Sequence, residues 1–360
     1  MLIELLKNRF ITVRYKSDIA NIKGKMKQCD LTPLTAGQKR DINAFYQKML
    51  GHDVPTYWHE YFYSRNGNFS VKYIPTAVYH AEIIYRLNQF GVRHAYVDKG
   101  IYDVYFPDVN RPQTIVKNIN GYFYDGRKAI SHAEALERCQ NLKAAVSKPS
   151  TEGMWGEGVR VFHTEDGRVN GDGMSIQELF DSYGKNFIIQ EKIEQHVEMS
   201  KLNPTSLNTL RVLSYRDENQ VHILYVVVRI GRTGQQVDNE TAGGINADID
   251  LPTGTILDCA YGTPAEKRIE TTDCGTALKG FRIPAFDKVI GLVKELHTRL
   301  PYFNLVGWDF GIDEQGEPVL IEWNRAPDLS QTAHGPAFGD MTEEILLGLK
   351  NKPNSILNNL

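Results

Sequence analysis

The stretch that most constrains the fold is residues 305–324, LVGWDFGIDEQGEPVLIEWN. Two apolar runs of strand length flank Asp313-Glu-Gln-Gly316, a turn with glycine where a left-handed residue is needed, so the spacing predicts a β-hairpin. Strand side chains alternate faces, which puts Glu322 and Asn324 on one face, and cross-strand pairing can bring Asp309 beside them. Two carboxylates and an amide oxygen on one face suit a hard cation such as Mg2+, which takes one or two carboxylates plus phosphate oxygens. A solvated edge hairpin would also carry acids. Acids set between Trp308, Phe310, Ile321 and Trp323, however, need partners, because an unpaired charge in apolar surroundings is costly.

Such a hairpin needs a sheet to sit in, and 360 residues are enough for one large domain or two to three lobes. Hydrophobic content of 41% and charged content of 24% describe an ordinary globular chain, and a net charge of -3 exerts no overall pull towards nucleic acid or anionic membrane. Cys29, Cys139, Cys259 and Cys274 are scattered without a CxxC pair, which predicts reduced thiols and no structural zinc. The N-terminal MLIELLKNRFITVRYK has a short apolar patch broken by Lys7, Asn8 and Arg9, unlike a signal peptide. No window approaches the ~18 apolar residues of a membrane span. The expectation is a soluble, cytoplasmic protein with no nucleic-acid partner and no transmembrane segment; nothing indicates its oligomeric state.

The first 93 residues predict a mostly helical lobe. Residues 1–30 suggest a short helix and a basic connector. Residues 35–50 carry Ile42, Phe45, Tyr46, Met49 and Leu50 at helical spacing and stop at Gly51, and residues 75–90 repeat the pattern with Gly91 just beyond. Short strands are expected over residues 94–97, 114–119 and 121–124, then a helix over 131–142 with Ser131 and Glu134 as a capping box. Lys148-Pro149 ends a strand before a loop carrying Gly153, Gly156 and Gly158 and a strand over 159–162. Glycines let backbone amides close over phosphates and a lysine at the strand end adds a point charge, although the spacing fits neither a Walker A loop nor a Rossmann fingerprint. A capped helix over 175–183 and a strand over 187–191 follow, then two long strands, 210–215 and 221–230. Residues 231–250 predict a polar loop, and 284–300 an amphipathic helix. Residues 351–360 form a polar tail.

In this order, the elements resemble the ATP-grasp superfamily over residues 95–348. LNPTSLNTLRVLSY, RIGRTGQQVDNETAGGINADID and GWDFGIDEQGEPVLIEWN are similar to the sugar-transfer-associated ATP-grasp family of bacterial polysaccharide biosynthesis. The resemblance implies an α+β fold in which two subdomains, about 112–193 and 194–350, clamp ATP between antiparallel sheets. It implies that Lys148 holds the α- and β-phosphates and that Gln190, Glu191, Lys192 and Ile193 form the adenine hinge. Glu198 would bind the ribose, with Glu194 as rival. An earlier ATP lysine would be Lys117 on its strand, or Lys99 in a Tyr-Val-Asp-Lys string. Asp309, Glu322 and Asn324 fall on the Mg2+ triad, for two ions. Arg211 and Arg229 would steady the transferred phosphate or face the acceptor, with Asn208, Asn239, Gly243 and Gly244 on the substrate side.

The implied activity is an ADP-forming ligase that activates a carboxylate as an acyl phosphate and joins it to an amine, with a sugar acid or amino acid as substrate. Phosphoryl transfer to a hydroxyl, with Asp238 or His222 as base, is the alternative, and a non-catalytic ATP-binding module the third.

Overall fold

Two six-stranded antiparallel sheets set the architecture of the protein, seen in a computed structural model that describes residues 2–92, 96–151, 158–171, 173–235, 238, 243–352 and 354. The smaller sheet has the order β3-β2-β1-β8-β4-β5, from β1 (Thr114–Ile119), β2 (Tyr122–Asp125), β3 (Lys128–Ile130), β4 (Ala145–Pro149), β5 (Arg160–Phe162) and β8 (Phe187–Glu191). Between β5 and β8 lies a small ribbon, β6 (Thr164–Glu165) with β7 (Arg168–Val169). Ser131 and Ser175 each close a capping box, with Glu134 and Glu178, on the helices His132–Arg138 and Ile176–Tyr183. Ala135, Leu179 and Phe180 from these helices pack with Val116, Phe187 and Ile189 of the sheet. The first helix is shorter than expected and ends at Cys139.

The larger sheet has the order β12-β11-β10-β9-β13-β14, from β9 (Thr209–Arg216), β10 (Val221–Ile230), β11 (Ile245–Asp250), β12 (Thr255–Tyr261), β13 (Leu305–Ile312) and β14 (Pro318–Asn324). The expected hairpin is therefore the edge of a six-stranded sheet. Part of the expected loop over 231–250 is strand instead. Residues 245–250 alternate, Ile245, Ala247 and Ile249 entering the core and Asn246, Asp248 and Asp250 facing the other way, which lets this polar segment pair with β10.

The two faces of this sheet are used differently. Leu210, Val212, Val226, Val228, Trp308 and Phe310 pack under the helix Phe286–Thr298. The opposite face, called inner here, carries Leu213, Tyr225, Val227 and Leu305 against Ile42, Tyr46, Val78 and Tyr79 of the N-terminal region and Phe338 and Leu346 near the C-terminus.

The N-terminal region is helical as expected, with two corrections. Residues 1–30 hold one helix, Leu2–Met26, rather than a short helix and connector. The expected 75–90 helix is broken: Thr76–Val78, a π-helical turn Tyr79–Ile83, then Ile84–Leu87, with Asn88 extended and Gly91 inside a 3-10 turn. Asn88 stops it because its side chain is spent on sheet edges, donating to Leu305 O at 2.7 Å and Arg325 O at 2.6 Å and accepting from Leu305 N–H at 2.9 Å. Residues 96–97, expected in a strand, are helical; His94 lies outside the described residues. Among the described residues no helix is long and apolar enough to cross a membrane.

Candidate active site

Register brings the expected site together. Asp309 pairs directly with Glu322 on β14 and with Arg211 on β9, Arg211 pairs with Val227 on β10, and Val227 with Asp248 on β11. One row across five strands therefore reads Asp248, Val227, Arg211, Asp309, Glu322, all on the inner face. Asn324 shares that face two residues on from Glu322, opposite Gly307. A Cβ at Gly307 would lie 2.5 Å from Pro327 Cβ, so only glycine lets the chain after β14 pass this close to β13.

Arg211 and Asp309 are each 4% exposed and form a two-pronged pair, Nε to Oδ1 at 2.5 Å and Nη2 to Oδ2 at 2.8 Å. Burial opposes the Arg211 charge, but Asp309 holds its pKa above the ordinary arginine value. Arg229 Nη1 stands 3.5 Å from Asp309 Oδ2. Asn324 Nδ2 lies 3.4 Å from both Asp309 Oδ2 and Glu322 Oε1; turning the amide over presents Oδ1 instead. Burial would raise the Glu322 pKa, yet Lys99 and then Lys148 pull it well below the carboxylate range. Lys148 is lowered to about 8, by burial first and by the like charge of Lys99 second.

Of the two lysines expected to compete for the first ATP position, the structure brings Lys99, not Lys117, to the cluster. Lys99 Nζ reaches Glu322 Oε2 at 3.1 Å. Its backbone N–H donates to Ser150 O at 2.8 Å, which stitches its turn to the end of the Lys148 strand. Lys117 is buried and turned to Gly100 O at 2.6 Å and Asp103 Oδ1 at 2.9 Å. Strand position alone favoured Lys117; the available sequence signal for Lys99 was Asp98, whose carboxylate caps the turn by accepting from Gly100 N–H at 2.8 Å.

Five more expected residues fall elsewhere or outside the described residues. Asn208 is fully buried and wires the chain, its Nδ2 donating to Gln195 Oε1, Met199 O and Asn203 O, so it cannot face a substrate. His222 pairs with Asp217 at 2.6 Å at the far turn of β9 and β10, away from the row. Asn239 lies outside the described residues, as do Gly153 and Gly156. Gly243, at φ 86°, and Gly244 lead into β11, where Asn246 pairs with Arg229.

At the end of β8, where the adenine hinge was expected, Gln190 Nε2 donates to Pro112 O and Thr114 Oγ1, both at 3.2 Å, while the backbone N–H groups of Glu191 and Lys192 go to Gln113 O and Ala144 O. Glu198 is held by Lys201 at 2.7 Å and Glu194 lies 3.8 Å from Lys192. Asp238 accepts from Thr209 N–H at 3.0 Å and from its hydroxyl; burial pushes it up to about 6 against the opposing pull of Arg229.

Lys99, Lys148, Arg211 and Arg229 gather around Asp309 and Glu322, a concentration of cations suited to a polyphosphate. Among the described residues no group of three or more His, Cys, Asp or Glu is set to hold a metal. Two carboxylates and an amide instead fit an ion whose shell is completed by phosphate oxygens.

A family model described as sugar-transfer associated ATP-grasp matches residues 104–345. Among solved structures, the D-alanine–D-alanine ligase of Bacillus anthracis aligns at 14% identity over 70% of this chain and 65% of that one, with a TM-score of 0.39. The L-amino acid ligase of Bacillus licheniformis aligns at 10% identity over 74% and 51%, TM-score 0.39. The biotin carboxylase of Campylobacter jejuni aligns at 12% over 76% and 50%, TM-score 0.44. The chain thus spans less than two thirds of each of these three solved chains. No curated protein matches the sequence.

Proposed function

The chain belongs to the sugar-transfer-associated ATP-grasp family, and from that premise we propose that it is an ADP-forming, Mg-ATP-dependent carboxylate–amine ligase. Its carboxylate is a sugar acid or an amino acid, and its work is the modification of bacterial cell-surface polysaccharide. The observation that carries this reading is the inner-face row, in which Arg211 and Arg229 converge on Asp309 beside Glu322, Lys99 and Lys148. No serine or cysteine nucleophile is needed for such chemistry. Positioning and charge neutralisation suffice when a phosphoryl group moves to a carboxylate and an amine then displaces it.

Lys99 and Lys148 would hold the phosphates of ATP, and residues 190–193 its adenine, with Glu198 or Glu194 on the ribose. Asp309, Glu322 and Asn324 would hold Mg2+, two ions at full occupancy, which when bound neutralises charge on the β- and γ-phosphates. Arg211, held beside Asp309 by two hydrogen bonds, would present its guanidinium to the acyl phosphate. Arg229, at the margin of the same group, faces the acceptor.

Product analysis tests this reading. Purified protein with Mg-ATP and a pooled panel of amino acids and uronic acids is expected to release phosphate and form a species lighter than its two substrates together by one water. A substrate that gains a phosphoryl group with no free phosphate would replace this reading with the phosphotransferase.

A further inference from the structure

The inner-face row has a second end. At β11, Asp248 is 9% exposed and its Oδ1 lies 2.9 Å from Nδ1 of His334. His334 closes the short helix Gln331–His334, and its ring stacks on Tyr225, centroids 4.8 Å apart and planes 27° apart. Tyr225 is itself fixed, its hydroxyl accepting from Ser330 N–H at 2.9 Å. The imidazole is thus gripped at one nitrogen and on one face. Nε2 has no hydrogen-bond partner among the described residues, and the side chain is about one-fifth exposed. A carboxylate on Nδ1 selects the tautomer that leaves a lone pair on Nε2.

Asp248 and Arg211 are separated in the row by Val227 alone. Two strand spacings of about 4.8 Å put roughly 10 Å between their backbones. The charge along the row is also uneven. Lys99 and Arg211 pair with Glu322 and Asp309 at the β9–β14 end, Arg229 reaches Asp309 from β10, and among the described residues no lysine or arginine pairs with Asp248 at the β11 end.

We propose that His334, oriented by Asp248, is the general base that deprotonates the attacking ammonium of the amine substrate. This rests on the ligase reading above. Nε2 takes one proton from the ammonium, and the freed nitrogen lone pair attacks the acyl carbon. The new C–N bond forms and the C–O bond to phosphate breaks, the phosphate leaving with the electron pair and taking the second nitrogen proton. His334 then returns its own proton to solvent. The acceptor is therefore a compound whose amine is protonated at neutral pH, rather than an alcohol.

Hydroxylamine separates the base from everything else, because it is already unprotonated near neutral pH and captures an acyl phosphate without help. Wild type, His334→Asn and Asp248→Asn are each given Mg-ATP and the pooled amino and uronic acids, with and without hydroxylamine. The expected result is hydroxamate formation within about twofold of wild type in both variants, with amide formation lowered by about a hundredfold or more in His334→Asn. Asp248→Asn lowers amide formation in the same direction and serves where the first variant fails to fold. Amide formation that persists in both variants, or hydroxamate and amide lost in equal measure from a folded variant, overturns the assignment of His334. Wild type that makes neither hydroxamate nor amide overturns the ligase reading itself, and the base with it.

Discussion

Arg211 and Asp309 face each other across β9 and β13 as a buried, two-pronged pair, with bonds of 2.5 and 2.8 Å. Removing one partner strands the other as an uncompensated buried charge. Asp309→Ala is therefore expected to cost about 3–5 kcal/mol of stability, while Arg211→Met with Asp309→Leu recovers most of that loss. Denaturant unfolding of the two variants checks this. Neither variant should turn over ATP, so stability and activity separate.

Lys99 and Lys117 should behave oppositely. Lys99→Met removes a charge that stands 3.1 Å from Glu322, and ADP affinity is expected to fall by tenfold or more, the worth of one charge-assisted hydrogen bond of about 1.5–3 kcal/mol. Lys117→Met unpins the turn held through Gly100 and Asp103. It should lower the melting temperature with a smaller effect on affinity. Calorimetric titration with ADP and thermal melting of both variants decide the assignment.

Nucleotide affinity should depend on pH through Lys148. Burial, helped by Lys99, lowers its pKa to about 8 in the free protein. The protonated form is the one that binds phosphate, so affinity is highest below that value and falls as pH rises through it, by at most about tenfold per pH unit. Lys148→Arg keeps its charge over the whole range and should flatten the profile. ADP affinities at about pH 7 and about pH 9 provide the check.

The helical N-terminal region shares its core with the large sheet rather than standing apart. Tyr225, Val227 and Leu305 pack with Ile42, Tyr46 and Val78, and Arg65 Nη1 donates to Pro264 O at 2.8 Å on the loop after β12. A chain lacking residues 1–92 would expose that inner face and leave Leu305 without the bonds of Asn88. It is expected to be insoluble or to aggregate, which expression and size-exclusion chromatography would reveal.

Local signals in the sequence carried much of this. Capping residues marked helix starts at Ser131 and Ser175, apolar runs marked β9, β10 and β14, and the turn at Asp313–Gly316 marked the hairpin that pairs Asp309 with Glu322. What stayed hidden depends on contacts distant in sequence. Lys99 reaches the site because its turn bonds to Ser150, and no local pattern encodes that. Asn208 sat in a family-like motif but is consumed by Gln195 and its neighbours. β11 was concealed because its inner-face side chains are polar and neighbour an amide-rich segment. Asp248 and His334 lie 86 residues apart in sequence, and only sheet register and the turn after β14 bring them together.

The most direct test of the central claim follows oxygen from the carboxylate. Pooled amino and uronic acids labelled with 18O in their carboxyl groups are incubated with the protein and Mg-ATP, and the released phosphate is analysed by mass spectrometry. If the row from Arg211 to Glu322 supports acyl-phosphate chemistry, one labelled oxygen is carried into inorganic phosphate as the amide forms. Phosphate released without label, alongside a joined product, would contradict it.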